Sequence, residues 1–181
     1  MQVYLALYGI VDKEYRFLIA KKNKKAHFYG RKKFPNGIDI KNGPCSWVFP
    51  GGKARPGKKP LCEAYREFKE ETGIDKVVIE KGEVIGIGNQ QYKVFFVCCS
   101  NLQDIVTKIK NNLGNSEFVK DDELYIALLA TRQEALHYFQ STEEHSSWFI
   151  DALNYFYNHH LGGSNAKAIW EINDFPDSFE V

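Results

Sequence analysis

Residues 51–74 read GGKARPGKKPLCEAYREFKEETGI, and the second half of this stretch decides how the rest is read. Pro60 suits the first position of a helix and Gly73 the left-handed position just past its end. Between them Leu61, Ala64, Tyr65 and Phe68 recur at the three- and four-residue spacing of a buried stripe. Residues 60–72 are therefore expected to form one short amphipathic helix. On it Glu67, Glu70 and Glu71 stand at i, i+3 and i+4, with Glu63 one turn earlier, so the carboxylates share one side. Like charges at this spacing cost about 0.2–0.5 kcal/mol per pair in an isolated helix. Glu70 and Glu71 also lie at the negative end of the helix dipole, where cations are favoured. A bound divalent cation reverses both penalties, and all-oxygen ligands select a hard ion such as Mg²⁺ or Mn²⁺. The alternative is a solvated acidic face neutralised in part by Arg66 and Lys69.

The pattern closely resembles the Nudix box, G-x(5)-E-x(7)-R-E-U-x-E-E-x-G-U, where U is bulky and apolar. Gly52 falls on the opening glycine, and Arg66, Glu67, Phe68, Glu70, Glu71, Gly73 and Ile74 fill the second half in register. Lys58 stands where the box has its first glutamate, and Phe68 is aromatic in a slot that leans aliphatic. The resemblance implies a Nudix fold, an α/β/α sandwich with a mixed sheet, and hydrolysis of a phosphoanhydride bond. It also implies Glu67, Glu70, Glu71 and the carbonyl of Gly51 as metal ligands, with Arg66 orienting the carboxylates. The first glutamate of the box usually holds loop and helix together, so Lys58 bears on loop geometry more than on metal binding.

Length and composition fit one domain, residues 1–181, with a core over 1–140, a basic insertion at 21–44, and a C-terminal helix and acidic tail over 141–181. No apolar run reaches the length of a membrane span, and the N-terminus lacks a basic leader, so a soluble, cytoplasmic protein is expected. Cys45, Cys62, Cys98 and Cys99 form no C-x-x-C pair and read as reduced structural thiols. A net charge of +1 hides an asymmetry: between Lys21 and Lys59 twelve Lys or Arg side chains stand against one acid, Asp39. Such a field steers polyanions toward the site it borders, and it runs directly into the box. The alternative is a solvated basic loop.

Val3–Tyr8 and Tyr15–Ala20 read as a hairpin turning at residues 12–14. The turn formers Gly30, Pro35, Asn36-Gly37 and Asn42-Gly43-Pro44 read as a long irregular insertion. Trp47–Pro50 is a short strand leading to Gly51-Gly52. Strands are then expected at 76–80, 83–87 and 91–99, a helix at 102–113, a final strand at 124–130, and a helix from Thr131 through Phe139. A capping box at 141–144 opens a last helix through His160 that buries Trp148, Phe149, Ala152, Leu153 and Phe156 and stops at Gly162-Gly163. That helix either covers a face of the core or forms a homodimer surface.

The resemblance also implies a further glutamate from the loop before the final strand as base or metal ligand. Glu123 occupies that place, with Glu117, Asp121 and Asp122 as competitors. Lys53, Arg55 and Lys58 are candidates for the outer phosphate oxygens, Lys58 equally for a compensating loop contact. His27, His137, His145, His159 and His160 read as surface or packing residues. Tyr92 lies near the spacing of a base-stacking tyrosine in dinucleoside polyphosphate hydrolases, with Trp47, Phe28 and Tyr29 as other stacking candidates. The proline associated with ADP-ribose hydrolases is absent. A nucleoside triphosphate or dinucleoside polyphosphate is the expected substrate. A catalytically weak nucleotide-binding or sensing module, and an RNA-directed (cap or 5′-end) pyrophosphohydrolase contacting RNA through residues 21–41, are the alternatives.

Overall fold

The computed structural model describes residues 1–77, 79–141 and 146–161. Strands β1 (Gln2–Val11) and β2 (Glu14–Lys22) form the expected hairpin, turned by Asp12 and Lys13 at positive φ. Such turns match the right-handed twist of the strands they join. Residues 25–39 overturn the reading of an irregular insertion: β3 (Lys25–Tyr29) and β4 (Lys32–Asp39) pair antiparallel as a separate two-stranded sheet. The misreading has a physical cause. Asn36-Gly37, a strong hairpin signal, lies inside β4 opposite a register shift, while the turn is made by Gly30 and Arg31, both at positive φ.

The chain continues through β5 (Trp47–Val48), β6 (Gly51–Lys53) and helix α1 (Pro60–Thr72), which has the expected bounds and ends on a left-handed Gly73. The two strands expected at 76–87 are one, β7 (Ile79–Gly88), with a register irregularity between Ile79 and Val84; Lys76 and Val77 precede it. Next come β8 (Tyr92–Cys99), α2 (Leu102–Asn112), β9 (Leu124–Ala130), α3 (Arg132–Gln140) and α4 (Ser146–Phe156), followed by a π-helical turn at Tyr157–Leu161. Thr131 caps α3 in a reciprocal capping box with Glu134. The expected capping box at 141–144 rests on residues outside those described, as do Gly162-Gly163 and the tail from Trp170 to Val181.

The main sheet is mixed. β1 runs parallel to β8, from Gln2 opposite Tyr92 to Tyr8 opposite Cys98, and antiparallel to its other partners. Gln2–Tyr4 pair with β6, whereas Tyr8–Val11 pair with β2, so the second half of β2 is left to pair with β5 on that edge, while β9 pairs along its other edge. The sheet divides there, and Gly51 and Lys22, one on each side of the divide, line a common pocket. α1 and α2 pack against β1. From the other side Tyr4 and Tyr8 meet Phe149 and Phe156 of α4 edge-on, as strand alternation requires.

The α4 face that suits either a core or a dimer surface is spent on the core. Phe149, Ala152, Leu153 and Phe156 are fully buried, and Phe156 stacks on Phe96 at 4.1 Å between centroids with Phe17 and Tyr8 around it. Deleting a buried phenyl ring costs about 3–5 kcal/mol. Phe156→Ala is accordingly expected to lower the unfolding free energy by about that amount, with little change in the denaturant slope. Urea unfolding followed by far-UV circular dichroism measures it, and a loss near zero would show that α4 is peripheral.

Candidate active site

Helix α1 turns Ala64, Tyr65 and Phe68 into the core, and its Glu67 borders the pocket at the divide in the sheet. Each acid faces at least one cation, from the helix itself or from elsewhere in the fold. Glu63 is 2% exposed and receives Arg55 through both guanidinium and backbone N–H, with further hydrogen bonds from Arg66 at 3.0 and 3.2 Å. Arg66 also donates to Glu67 and, at 2.9 Å, to Glu70, so one guanidinium spans three carboxylates. Lys120 adds a 2.7 Å ion pair to Glu70. Glu71, 3% exposed, accepts the Gly51 N–H at 2.9 Å and faces the charge of Lys22.

Two glycines make this close approach possible. A β-carbon on Gly51 would lie 2.2 Å from the Val3 carbonyl oxygen, and one on Gly52 would lie 2.6 Å from a carboxylate oxygen of Glu67. Glycine at 51 lets β6 lie against the β1 backbone, and glycine at 52 leaves room for the Glu67 carboxylate.

Opposite α1, Lys22 sits where the pairing of β2 with β9 shifts register, and its side chain is buried with the ammonium 2.9 Å from Glu123. Burial opposes its charge, but Glu71 and Glu123 outweigh burial and hold the proton more tightly than usual. Burial also pushes the Glu71 carboxyl well above the usual range; Lys22 pulls it back, while Glu123 and Glu67 push the same way as burial. Glu67 is raised chiefly by burial as well.

Residues 120–123 tie three parts of the site together. The amides of Lys120 and Asp121 both donate to the Glu70 carbonyl. The buried Asp121 carboxylate accepts the Gly30 N–H at 2.6 Å, and the buried Asp122 carboxylate accepts the His27 N–H at 2.8 Å and the Asn23 amide at 3.3 Å. Asp121 and Asp122 are therefore engaged in holding the β3–β4 sheet and Glu117 is exposed, whereas Glu123 lines the pocket.

That pocket, about 130 Å³, is bordered by Glu67, Glu123, Lys22, Gly51, Gly52 and Lys53, with Tyr4, Tyr29 and Phe149 among its other walls. Of the expected phosphate-binding residues, Lys53 lies on it, Arg55 is committed to Glu63, and Lys58 is exposed on the loop. Tyr92 is buried with its ring stacked on Trp148 at 4.9 Å; the half-exposed ring facing the pocket belongs to Tyr29. Lys22 escaped the sequence reading. Its signal was a lysine in phase with Leu18 and Ala20 on a buried strand.

The donor set suits a hard divalent ion. The candidate ligands are all oxygens, and beyond burial the charge of Glu123 raises the proton affinity of Glu67 and Glu71, with Glu67 adding to that of Glu71, which an added cation would relieve. Among the described residues no three Asp, Glu, His or Cys side chains already converge at metal-ligand spacing; Lys22 is paired with Glu123, and Arg66 spans Glu63, Glu67 and Glu70. No described helix is long and apolar enough to cross a membrane.

A mixed sheet between helices, with a glycine strand pressed onto a helix rich in carboxylates, defines the Nudix class of phosphoanhydride hydrolases. The chain belongs to that family: the model of the NUDIX domain matches residues 3–150. The family generally uses divalent cations and binds nucleotide-linked substrates. The fold is similar to that of a C. elegans Ap4A hydrolase crystallised as a binary complex, with a TM-score of 0.54 at 14% identity, covering 90% of this chain and 99% of that one. A mutT/nudix family protein from Listeria innocua aligns with a TM-score of 0.49 at 15% identity, over 87% of this chain and 89% of that one. No curated protein matches.

The tie between loop and helix has a defined pH signature. Hydrogen bonds from Arg55, assisted by Arg66, bring the Glu63 carboxyl down from 4.5 to about 2. Because the folded value is the lower one, the stabilisation is present above about pH 4.5 and is lost as pH falls toward 2. Glu63→Gln is expected to be less stable than the parent at neutral pH, with the gap narrowing across that window. Unfolding free energies measured from pH 7 downward test this, and a gap independent of pH would contradict the ion-pair assignment.

Proposed function

We propose that this protein hydrolyses a phosphoanhydride bond in a nucleoside triphosphate or dinucleoside polyphosphate by attack of water, with Mg²⁺ or Mn²⁺ as cofactor. The observation carrying this reading is the meeting of Glu67, Glu123, Lys53 and the Gly51-Gly52 backbone on one pocket beside the buried Lys22. Glu67, Glu70, Glu71 and the Gly51 carbonyl would hold the divalent ion, which supplies charge neutralisation at the phosphoryl oxygens. Arg66 keeps the carboxylates of α1 in position through three contacts. Glu123, oriented by Lys22, is the group that accepts the proton of the attacking water. Lys53 meets the outer phosphate oxygens in a charge-assisted contact, and Lys58 on the exposed loop adds to the attracting field. Arg55 acts indirectly, by fixing the loop to Glu63. The C. elegans protein of similar fold is an Ap4A hydrolase, and a substrate of that kind falls within the proposal.

One observation favours a second reading, the RNA-directed one: Lys25, Lys32 and Lys33 stay exposed on the small sheet whose Tyr29 borders the pocket. Oligonucleotide binding that weakens steeply with salt would support it, and absence of binding at low salt would remove it.

The test is product release from nucleoside triphosphates, dinucleoside polyphosphates, ADP-ribose, nucleotide sugars and capped RNA, with Mg²⁺, Mn²⁺ or EDTA. Metal-dependent cleavage that EDTA abolishes is expected. Glu123→Gln is expected to lower kcat by about 10²–10⁴-fold, the range for loss of a positioned general base. Glu70→Gln and Glu71→Gln are expected to abolish turnover while thermal unfolding stays close to the parent's, since the amide oxygen at 71 still accepts the Gly51 N–H. Turnover at the parent rate in both variants would disprove the metal-ligand assignment. A parent that binds nucleotides and cleaves none of the panel would be a sensing module instead.

A further inference from the structure

Lys22 is a cation enclosed among the carboxylates that a divalent ion would use. Its side chain is 9% exposed, against 23% for Arg66 and 46% for Lys120. It arrives from β2, in phase with the buried Leu18 and Ala20, at the point where the pairing with β9 shifts register. The ammonium lies 2.9 Å from Glu123, and Lys22 borders the pocket that Glu67, Gly51 and Gly52 also line.

The other cations of the site answer other acids. Arg55 is held by Glu63, Arg66 spans Glu63, Glu67 and Glu70, and Lys120 meets Glu70 from the surface. The buried Glu71 carboxylate receives the Gly51 N–H at 2.9 Å and feels the positive charge of Lys22. Lys22 therefore serves two acids from different elements, Glu71 of α1 and Glu123 just before β9. An exposed lysine such as Lys120 can turn its ammonium into water when a metal ion arrives. Lys22 is enclosed and tied to Glu123, so an ion taken up by Glu71 comes to rest in the field of a fixed positive charge. Like charges repel most strongly where water is excluded.

We propose that Lys22 is the resident counter-ion of Glu71 and Glu123 and an antagonist of the divalent ion, lowering the metal affinity of the site it helps to assemble. The inference rests on the reading above in which Glu71 is a metal ligand. One charge then has two effects of opposite sign. Lys22 neutralises buried carboxylates before the ion binds and keeps Glu123 oriented for the attacking water, while its repulsion of the ion at Glu71 weakens metal binding. Linkage makes the antagonism reciprocal: the bound ion loosens the hold of the site on the Lys22 ammonium by the same factor.

Mn²⁺ binding without nucleotide, followed by loss of the free-ion EPR signal, tests this in the parent, Lys22→Met, Lys22→Arg and Glu71→Gln. Lys22→Met, close in length and uncharged, is expected to bind Mn²⁺ about tenfold more tightly, within the usual range of coupling between two sites. Its kcat at saturating Mn²⁺ is expected to fall, because Glu123 has lost its positioning residue. A lysine that only shaped the site would move affinity and turnover in the same direction. Lys22→Arg keeps the charge and is expected to stay at the parent's affinity. Mn²⁺ binding in Lys22→Met that is equal to the parent's or weaker would overturn the antagonism, and a gain in Lys22→Arg as large as in Lys22→Met would overturn charge as its basis. Should Lys22→Met fail to fold, the parent decides: the ¹H–¹⁵N resonance of its Lys22 ammonium is expected to shift on saturation with Mg²⁺, and an unmoved resonance counts against the proposal. Glu71→Gln separates the inference from the reading beneath it. Mn²⁺ affinity at the parent's level in that variant would remove Glu71 as a ligand and the proposal with it, whereas an unchanged Lys22→Met beside a weakened Glu71→Gln removes the antagonism alone.

Discussion

Arg66 is the interaction on which the site depends. Glu63, Glu67 and Glu70 crowd one side of a thirteen-residue helix, and a single guanidinium reaches all three. Its planar fork of donors suits this bridging in a way that a lysine ammonium does not. The contacts also set an order among the acids. Glu63 and Glu71 are buried and satisfied by fixed partners, whereas Glu67 and Glu70 are partly open. The inner pair joins the helix to the loop and to β6, and of the outer pair Glu67 borders the pocket. Mutual repulsion, legible as a spacing in the sequence, is distributed over cations from the loop, β2 and the segment before β9.

The departure at Lys58 gains a physical account from the same network. In the box the first glutamate lends an acidic partner from the loop. Here the loop supplies a base, Arg55, and the helix supplies the acid, Glu63, so the tie is kept with its polarity reversed. Lys58 is left exposed, two residues before the helix begins. The Arg55–Glu63 tie is made without it.

Much of this was legible in the sequence, for reasons that differ by element. The bounds of α1 and β9 follow from strong local signals: Pro60 and Gly73 around a periodic helix, and an apolar run from Leu124 to Ala130. The small sheet was not legible, because its turn is Gly30-Arg31 rather than the Asn-Gly dipeptide, which is absorbed as an irregularity in β4. Glu123 was one of four acids until tertiary contacts showed that Asp121 and Asp122 accept backbone amides of the small sheet. Such pairings join residues about ninety positions apart, and no local pattern announces them. Lys22 was hidden differently, since its burial is intelligible only once Glu71 and Glu123 are known to flank it.

The way the small sheet is held bears on how such a site can vary. Asp121 and Asp122 grip β3 and its turn by the backbone N–H groups of His27 and Gly30, not by side chains. Backbone amides are present whatever the residue, so this attachment places little demand on the exposed side chains at positions 25, 29, 32 and 33. The same short segment continues into Glu123 and receives Lys120 on Glu70. Substitutions on the exposed face of the sheet can therefore change that face while the carboxylates remain where Arg66 and Lys22 fix them. Substitutions at Asp121 or Asp122 act in the opposite way: they would loosen the small sheet and the segment carrying Glu123 together.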